Sequence, residues 1–205
     1  MINDLIKVCS INSHSYNPKG VNEVGEFFIN KFKESFEDKI KIETIKLDNH
    51  EIIDDHGESI NKEIGDLIFI TKKIKSSKYK VLLMGHLDTV FPKDSSFQEC
   101  IMIDETMING PGVSDIKGGL LVLHKALEIL ENSQHADQIS WTVCLNPEEE
   151  IGSPESQKYF EKLAQEHNFA MIFEPSLSDG SIAWQRKGTG NFQLVAKGKA
   201  AHVGR

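Results

Sequence analysis

Apolar positions along the chain recur with two different periods. Val21, Val24, Phe28 and Phe32 fall at three- and four-residue steps after the turn-forming Asn17-Pro18-Lys19-Gly20, which predicts an amphipathic helix. Leu120, Leu123, Leu127 and Leu130 form a second stripe over 117–130, and 154–166 reads as a third helix. Shorter apolar runs lie between them: a β-rich stretch over 39–47, and strands over 66–71, 80–85, 139–145 and 170–173. The strand at 80–85 holds the unbroken run Val81-Leu82-Leu83-Met84, which suits a strand covered on both faces. Strands alternating with helices predict a layered α/β fold. Near Arg186 the pattern changes. Gly188, Gly190, Gly198 and Gly204 punctuate a new apolar run over 192–196, which predicts a strand and a domain boundary. One domain is expected over 1–186, and the start of a second, cut short, over 187–205.

Composition changes this picture little. The 205 residues are 39% hydrophobic and 26% charged, enough for a folded core. A net charge of -8 opposes non-specific binding to nucleic acid or anionic membrane, so neither is expected as a partner. Five lysines in 72–80 are the local exception, read as a solvated loop between strands. The cysteines, Cys9, Cys100 and Cys144, are odd in number, widely spaced and without a CxxC pair. They predict free buried thiols in a reducing compartment and no thiolate zinc site. The N-terminal residues lack a basic segment leading into an apolar one, and no apolar run reaches membrane-spanning length, so a cytoplasmic location is expected.

The chemically dense residues share one placement. His86 and Asp88 lie just past the end of the run Val81–Met84. Glu148, Glu149 and Glu150 follow the strand at 139–145, and Glu174 follows the strand at 170–173. Asp115 sits in the Gly-rich segment Gly110-Pro111-Gly112-Val113-Ser114-Asp115, just before a helix. Sites in open α/β sheets form beyond the carboxyl ends of strands, so four segments deliver an imidazole and several carboxylates to one edge. That donor set suits a borderline divalent ion such as zinc, and two ions relieve the repulsion among the carboxylates. Singly, each signal has a plain explanation. A His-x-Asp triplet is common, a glutamate run suits a helix N-terminus, and Asp115 could cap a helix. Their order and shared placement point to a site.

The segments Gly85-His86-Leu87-Asp88-Thr89-Val90, Gly110–Gly119, Glu149-Glu150-Ile151-Gly152-Ser153 and Phe173-Glu174-Pro175 together resemble the aminoacylase and glutamate carboxypeptidase family of zinc metallopeptidases (M20), particularly its glutamate carboxypeptidase-like branch. Gly198-Lys199-Ala200-Ala201-His202 is similar to a segment of that family's lid, or dimerisation, domain. The resemblance implies a mixed, mostly parallel sheet with helices on both faces, followed by a small α+β lid domain. It implies two Zn2+ ions, with Co2+ or Mn2+ as substitutes. His86, Asp115, Glu150 and Glu174 would be metal ligands, with Asp115 bridging, and Asp88 would orient His86. Glu149 would be the general base, leaving Glu148 outside the motif. His202 would bind substrate across a homodimer as an oxyanion donor. The peptide after Asp115 is often cis in the family, which implies a cis Asp115–Ile116 bond. Family members continue well past this point, and their last metal-binding histidine has no counterpart here, so the sequence reads as an N-terminal portion.

The resemblance implies di-zinc hydrolysis of a peptide or amide bond, with release of a C-terminal amino acid such as glutamate. An N-acyl amino acid deacylase or dipeptidase of the same family is an alternative, as is an inactive metal-binding scaffold. A nucleophilic hydrolase without metal is disfavoured, because there is no G-x-S-x-G elbow and no cysteine paired with a histidine in a known pattern.

Overall fold

The structure, a computed structural model, describes residues 1–185, 187–188, 190, 192 and 194–199; His202 and Arg186, where a domain boundary is expected, lie outside the described residues. In chain order the elements are α1 (Ile2–Cys9), α2 (Pro18–Phe36), β1 (Lys41–Ile45), β2 (His50–Ile53), β3 (Ser59–Lys62), β4 (Leu67–Lys72), β5 (Tyr79–His86), β6 (Ile101–Met102), β7 (Ile108–Asn109), α3 (Lys117–Glu131), β8 (Ile139–Asn146), α4 (Gln157–Glu166) and β9 (Phe169–Ile172). No described residue after Ile172 is in a helix or strand, including the described members of the run over 192–196.

Five strands form the central sheet in the order β1-β4-β8-β5-β9. β4 pairs antiparallel with both β1 and β8, while β8–β5 and β5–β9 are parallel. Four strands therefore point one way and β4 alone runs against them, a mixed and mostly parallel sheet. Side chains alternate across each strand. Ile68, Ile70, Val81, Leu83, Trp141, Val143 and Leu145 pack with α1, α2 and α3 on one face. Leu67, Leu82 and Cys144 pack with Leu163 of α4 on the other. Helices on both faces explain why β5 reads as a near-continuous apolar run.

α2 forms where the periodicity places it. Asn17 caps it by accepting from Gly20 N–H, Pro18 opens it, and Val21, Val24, Phe28 and Phe32 face the core. The helix expected over 154–166 begins only at Gln157, because 154–156 form a turn. The carboxylate of Glu148 accepts N–H bonds from Glu155 (2.9 Å) and Ser156 (2.6 Å) in that turn. The lysine-rich stretch is not all solvated loop. Lys72 ends β4, is buried, and pairs with Glu131 at 2.5 Å while donating to the Ala136 carbonyl at 2.9 Å. The other four lysines are exposed. All three cysteines are free and buried.

Candidate metal centre

Strand register brings the candidate residues to one level. His86 pairs with Asn146 at the carboxyl ends of β5 and β8. β9 pairs up to Met84–Ile172, and Phe173 N–H then donates to the Met84 carbonyl, so Glu174 leaves the sheet beside His86. Past Asn146 the chain turns into the single-turn 3-10 helix Glu149–Ile151. Asp115 arrives from the loop before α3. Ile116 is the N-cap of α3 and makes no side-chain cap bond, so capping does not account for the Asp115 carboxylate. Asp115–Ile116 is cis, as the resemblance implies.

Close packing holds that loop in place. A Cβ on Gly118 would stand 2.2 Å from the Val113 carbonyl oxygen, and one on Gly119 would stand 2.3 Å from that of Phe173. Only glycine lets the start of α3 lie directly against the backbone that leads into Glu174. Lys117 is 0% exposed. Its stem packs over Gly112, and its ammonium donates to the carbonyls of Ile11 (2.8 Å) and Val8 (3.3 Å) at the end of α1. Burial pulls its pKa down to about 8.

Asp88 organises the cluster from beneath. It is fully buried, and its carboxylate accepts bonds from Ser15 Oγ (2.6 Å), Glu149 N–H (3.0 Å) and Glu150 N–H (3.2 Å). His86 Nδ1 lies 3.0 Å from the Asp88 carbonyl oxygen and 3.3 Å from Oδ1. Two acceptors at Nδ1 keep its proton there. Nε2 then faces outward, with Asp115 Oδ1 at 3.0 Å, Glu174 Oε1 at 3.8 Å and Glu149 Oε2 at 3.9 Å.

A ring nitrogen facing three carboxylates calls for positive charge between them, carried by a proton or by a cation in its place. Burial pulls the His86 imidazole down, but Asp88, Glu174 and Glu149 outweigh it and hold the group at about 9. Burial pushes Glu150 up to about 7, with Asp115, Asp88 and Glu149 adding to the rise and His86 opposing it. Crowded negative charge contributes to both shifts, and a divalent cation would relieve it. Two groups of donor atoms lie within 4.8 Å of one another: His86, Asp115 and Glu150, and His86, Glu149 and Glu174. One imidazole with carboxylates is a fitting donor set for zinc. The geometry departs from the resemblance at one point, because Glu149 falls in a ligand group as well as at the place of a base. Both groups draw on the same histidine.

A hollow of ≈ 340 Å³ opens beside His86, Glu149 and Glu174, walled by Leu82, Met84, Phe160 and Ile172. A larger one, ≈ 480 Å³, lies by Lys73, Trp141 and His167 at the opposite end of β8, away from these donors. No sequence motif marks Ser15, none assigns a role to Lys117, and Glu148 falls outside the motif that the resemblance rests on. Lys117 carried the one available signal, a charge between Ile116 and the Gly118-Gly119-Leu120-Leu121 run.

The sequence matches the model of a family described as Peptidase family M20/M25/M40 over residues 82–192. It is 33% identical over 137 residues to Carboxypeptidase G2 of Pseudomonas sp. (strain RS-16), covering 66% of this chain and 33% of that protein. Among solved structures it is similar to an M20 family metallo-carboxypeptidase, Sso-CP2, from Sulfolobus solfataricus, with a TM-score of 0.66 and 19% identity over 87% of this chain and 38% of that one. Human carnosine dipeptidase 1 matches with a TM-score of 0.67 and 16% identity over 86% and 38% of the two chains. The di-peptidase Dug1p of Saccharomyces cerevisiae matches with 0.63 and 20% over 83% and 37%. At these identities the structural likeness speaks for the fold alone. The chain spans about a third of the length of its curated relative.

Proposed function

The chain belongs to peptidase family M20/M25/M40, and from that premise we propose that its strand-end cluster is a two-zinc centre for peptide or amide hydrolysis. The favoured reaction is release of a C-terminal amino acid such as glutamate. The observation that carries this reading is the convergence of His86 Nε2 with Asp115, Glu150 and Glu174 at one sheet edge. These four residues would hold the metal, with Co2+ or Mn2+ able to replace Zn2+. Bound there, such ions supply Lewis acidity and bring the pKa of water close to neutral. Asp88 keeps the His86 ring turned so that Nε2 would face a metal held there. Glu149, whose side chain is 48% exposed, takes a proton from water and returns it to the leaving amine. His202 is proposed as the oxyanion donor, within a lid and dimerisation domain that starts at 187.

The likeness to a protein named Carboxypeptidase G2 supports the carboxypeptidase reading. A dipeptidase and an N-acyl amino acid deacylase are the alternatives that the family resemblance leaves open. A cytoplasmic location agrees with three buried free thiols, and no helix of the described residues is long and apolar enough to cross a membrane. A second reading is a metal-binding piece without turnover of its own. It is favoured by the sharing of one histidine between both donor groups.

Zinc calorimetry with a peptidase and amidase screen tests both readings. Two bound ions, together with hydrolysis that Glu149→Gln abolishes without loss of metal, would support the enzyme. Hydrolysis undiminished in Glu149→Gln would remove the base assignment. Metal binding without turnover would favour the second reading.

A further inference from the structure

The Asp88 carboxylate is gripped from two sides, and one grip comes from a segment that the proposed function leaves unused. Asp88 Oδ1 takes the Glu149 N–H (3.0 Å) and stands 3.3 Å from His86 Nδ1. Asp88 Oδ2 takes the Glu150 N–H at 3.2 Å and the Ser15 hydroxyl at 2.6 Å. The Ser15 bond is the shortest of these contacts and has the length of a charge-assisted O–H···O⁻ bond. Without it, Oδ2 would keep only the longest amide contact, and the carboxylate would be free to tilt. That tilt would move the groups on Oδ1, which are the imidazole and the Glu149 amide.

Ser15 is itself immobilised. It is 1% exposed. Thr89 N–H donates to the Ser13 carbonyl at 2.9 Å, His14 bridges to Thr89, and Asn17 N–H donates to the His14 carbonyl at 2.6 Å. Asn17 Nδ2 also reaches the Asn12 carbonyl at 2.7 Å. The segment over 12–17 is thus tied to itself and to the loop after β5, and the hydroxyl is presented to Asp88 without freedom to turn away.

We infer that Ser15 is a positioning residue of the metal centre, fixing Asp88 and through it both the His86 imidazole and the Glu149–Glu150 turn. The inference rests on the metal-site reading above. The structure supplies its own control, because Ser13 is equally buried (0% exposed) yet its hydroxyl has no hydrogen-bond partner. Removing either hydroxyl leaves a similar small void, but only Ser15→Ala removes a bond to Asp88.

The test is Co2+ titration of the 205-residue chain, read by visible absorption and calorimetry, with circular dichroism as the check on folding. Ser15→Ala is expected to weaken binding about tenfold or more, the scale for groups that orient a metal ligand, and to shift the Co2+ absorption envelope. Ser13→Ala is expected to keep the affinity and spectrum of the parent. A folded Ser15→Ala with unchanged affinity and spectrum overturns the inference, as does an equal loss in Ser13→Ala. Should Ser15→Ala fail to fold, Ser15→Thr carries the test, because it keeps the hydroxyl. Parent-like binding then sustains the inference, and a folded Ser15→Thr with lost affinity overturns it. A parent chain that binds no Co2+ overturns the metal-site reading, and this inference with it; parent-like behaviour of Ser15→Ala overturns this inference alone.

Discussion

Loading a divalent ion onto His86, Asp115 and Glu150 should expel protons in a number set by the local electrostatics. Asp88, Glu174 and Glu149 outweigh burial to hold the His86 imidazole at about 9. Burial, with the neighbouring carboxylates, lifts Glu150 to about 7. Each must lose its proton before it can donate to a metal. At pH 6.5, His86 carries a full proton and Glu150 about three quarters of one, so binding releases roughly two protons. At pH 8, Glu150 is already ionised and the release falls to about one. Release means that affinity rises with pH. Integrated between those values, His86 contributes about 1.5 decades and Glu150 about 0.6, or roughly 100-fold tighter binding at pH 8. Zinc calorimetry at both pH values, in pairs of buffers with different ionisation enthalpies, measures the protons directly. Glu150→Gln should remove the smaller share and leave the His86 share. Affinity that is flat across this range with no proton release would refute the electrostatic account of the cluster.

Three further outcomes follow from packing. Lys72→Met strands the buried Glu131 carboxylate, which would keep only its bond from Trp141 Nε1 (2.9 Å); urea unfolding should show a loss of about 3 kcal/mol, much of it recovered in Lys72→Met/Glu131→Leu, and additive losses would contradict the pairing. Gly119→Ala drives a methyl into the Phe173 carbonyl, so about 1–3 kcal/mol of stability and part of the metal affinity should be lost together; a variant unchanged in both would show that this close approach does not govern the Glu174 position. Finally, β9 exposes Phe169, Met171 and Ile172, at 44%, 51% and 62%, on an edge of the sheet, a surface that invites association; sedimentation should find the chain self-associating and Met171→Lys less so, whereas equal behaviour would place the contact elsewhere.

Much of the fold was legible because each local pattern agrees with the final environment. The run Val81-Leu82-Leu83-Met84 is apolar at every position because helices cover both faces of β5, Leu83 packing on one side and Leu82 on the other. The α2 stripe is a direct image of its buried face. What escaped was short or governed from a distance. α1 has only eight residues, and the β2–β3 and β6–β7 pairs have strands of four and two, too few positions for a period to emerge. Lys72 was read with its neighbours as solvated, because its partner Glu131 lies 59 positions away. Charge runs are classified by composition, whereas burial is decided by which residue ends the strand.

The cluster divides in the same way. His86, Asp88, Glu149, Glu150 and Glu174 lie at or within four residues of the ends of the strands that aim them, so strand ends in the sequence were enough to bring them to one edge. Asp115 is carried by a loop, and its place depends on Gly118 and Gly119 letting α3 approach other backbone. The supports beneath have no such local mark. Ser15 meets Asp88 across 73 positions, and Lys117 meets the end of α1 across 106 and 109. A donor needs only to stand at the mouth of the crevice, which strand ends specify. A support has to touch the donor from the side away from solvent, so it is supplied by whatever segment packs there, here the stretch between α1 and α2. Sequence patterns therefore expose the residues proposed to meet the metal and, of those that hold them, only Asp88, which shares a strand end with its ligand, His86; the others stay concealed. Comparing Ser15→Ala with Ser13→Ala measures that concealed contribution.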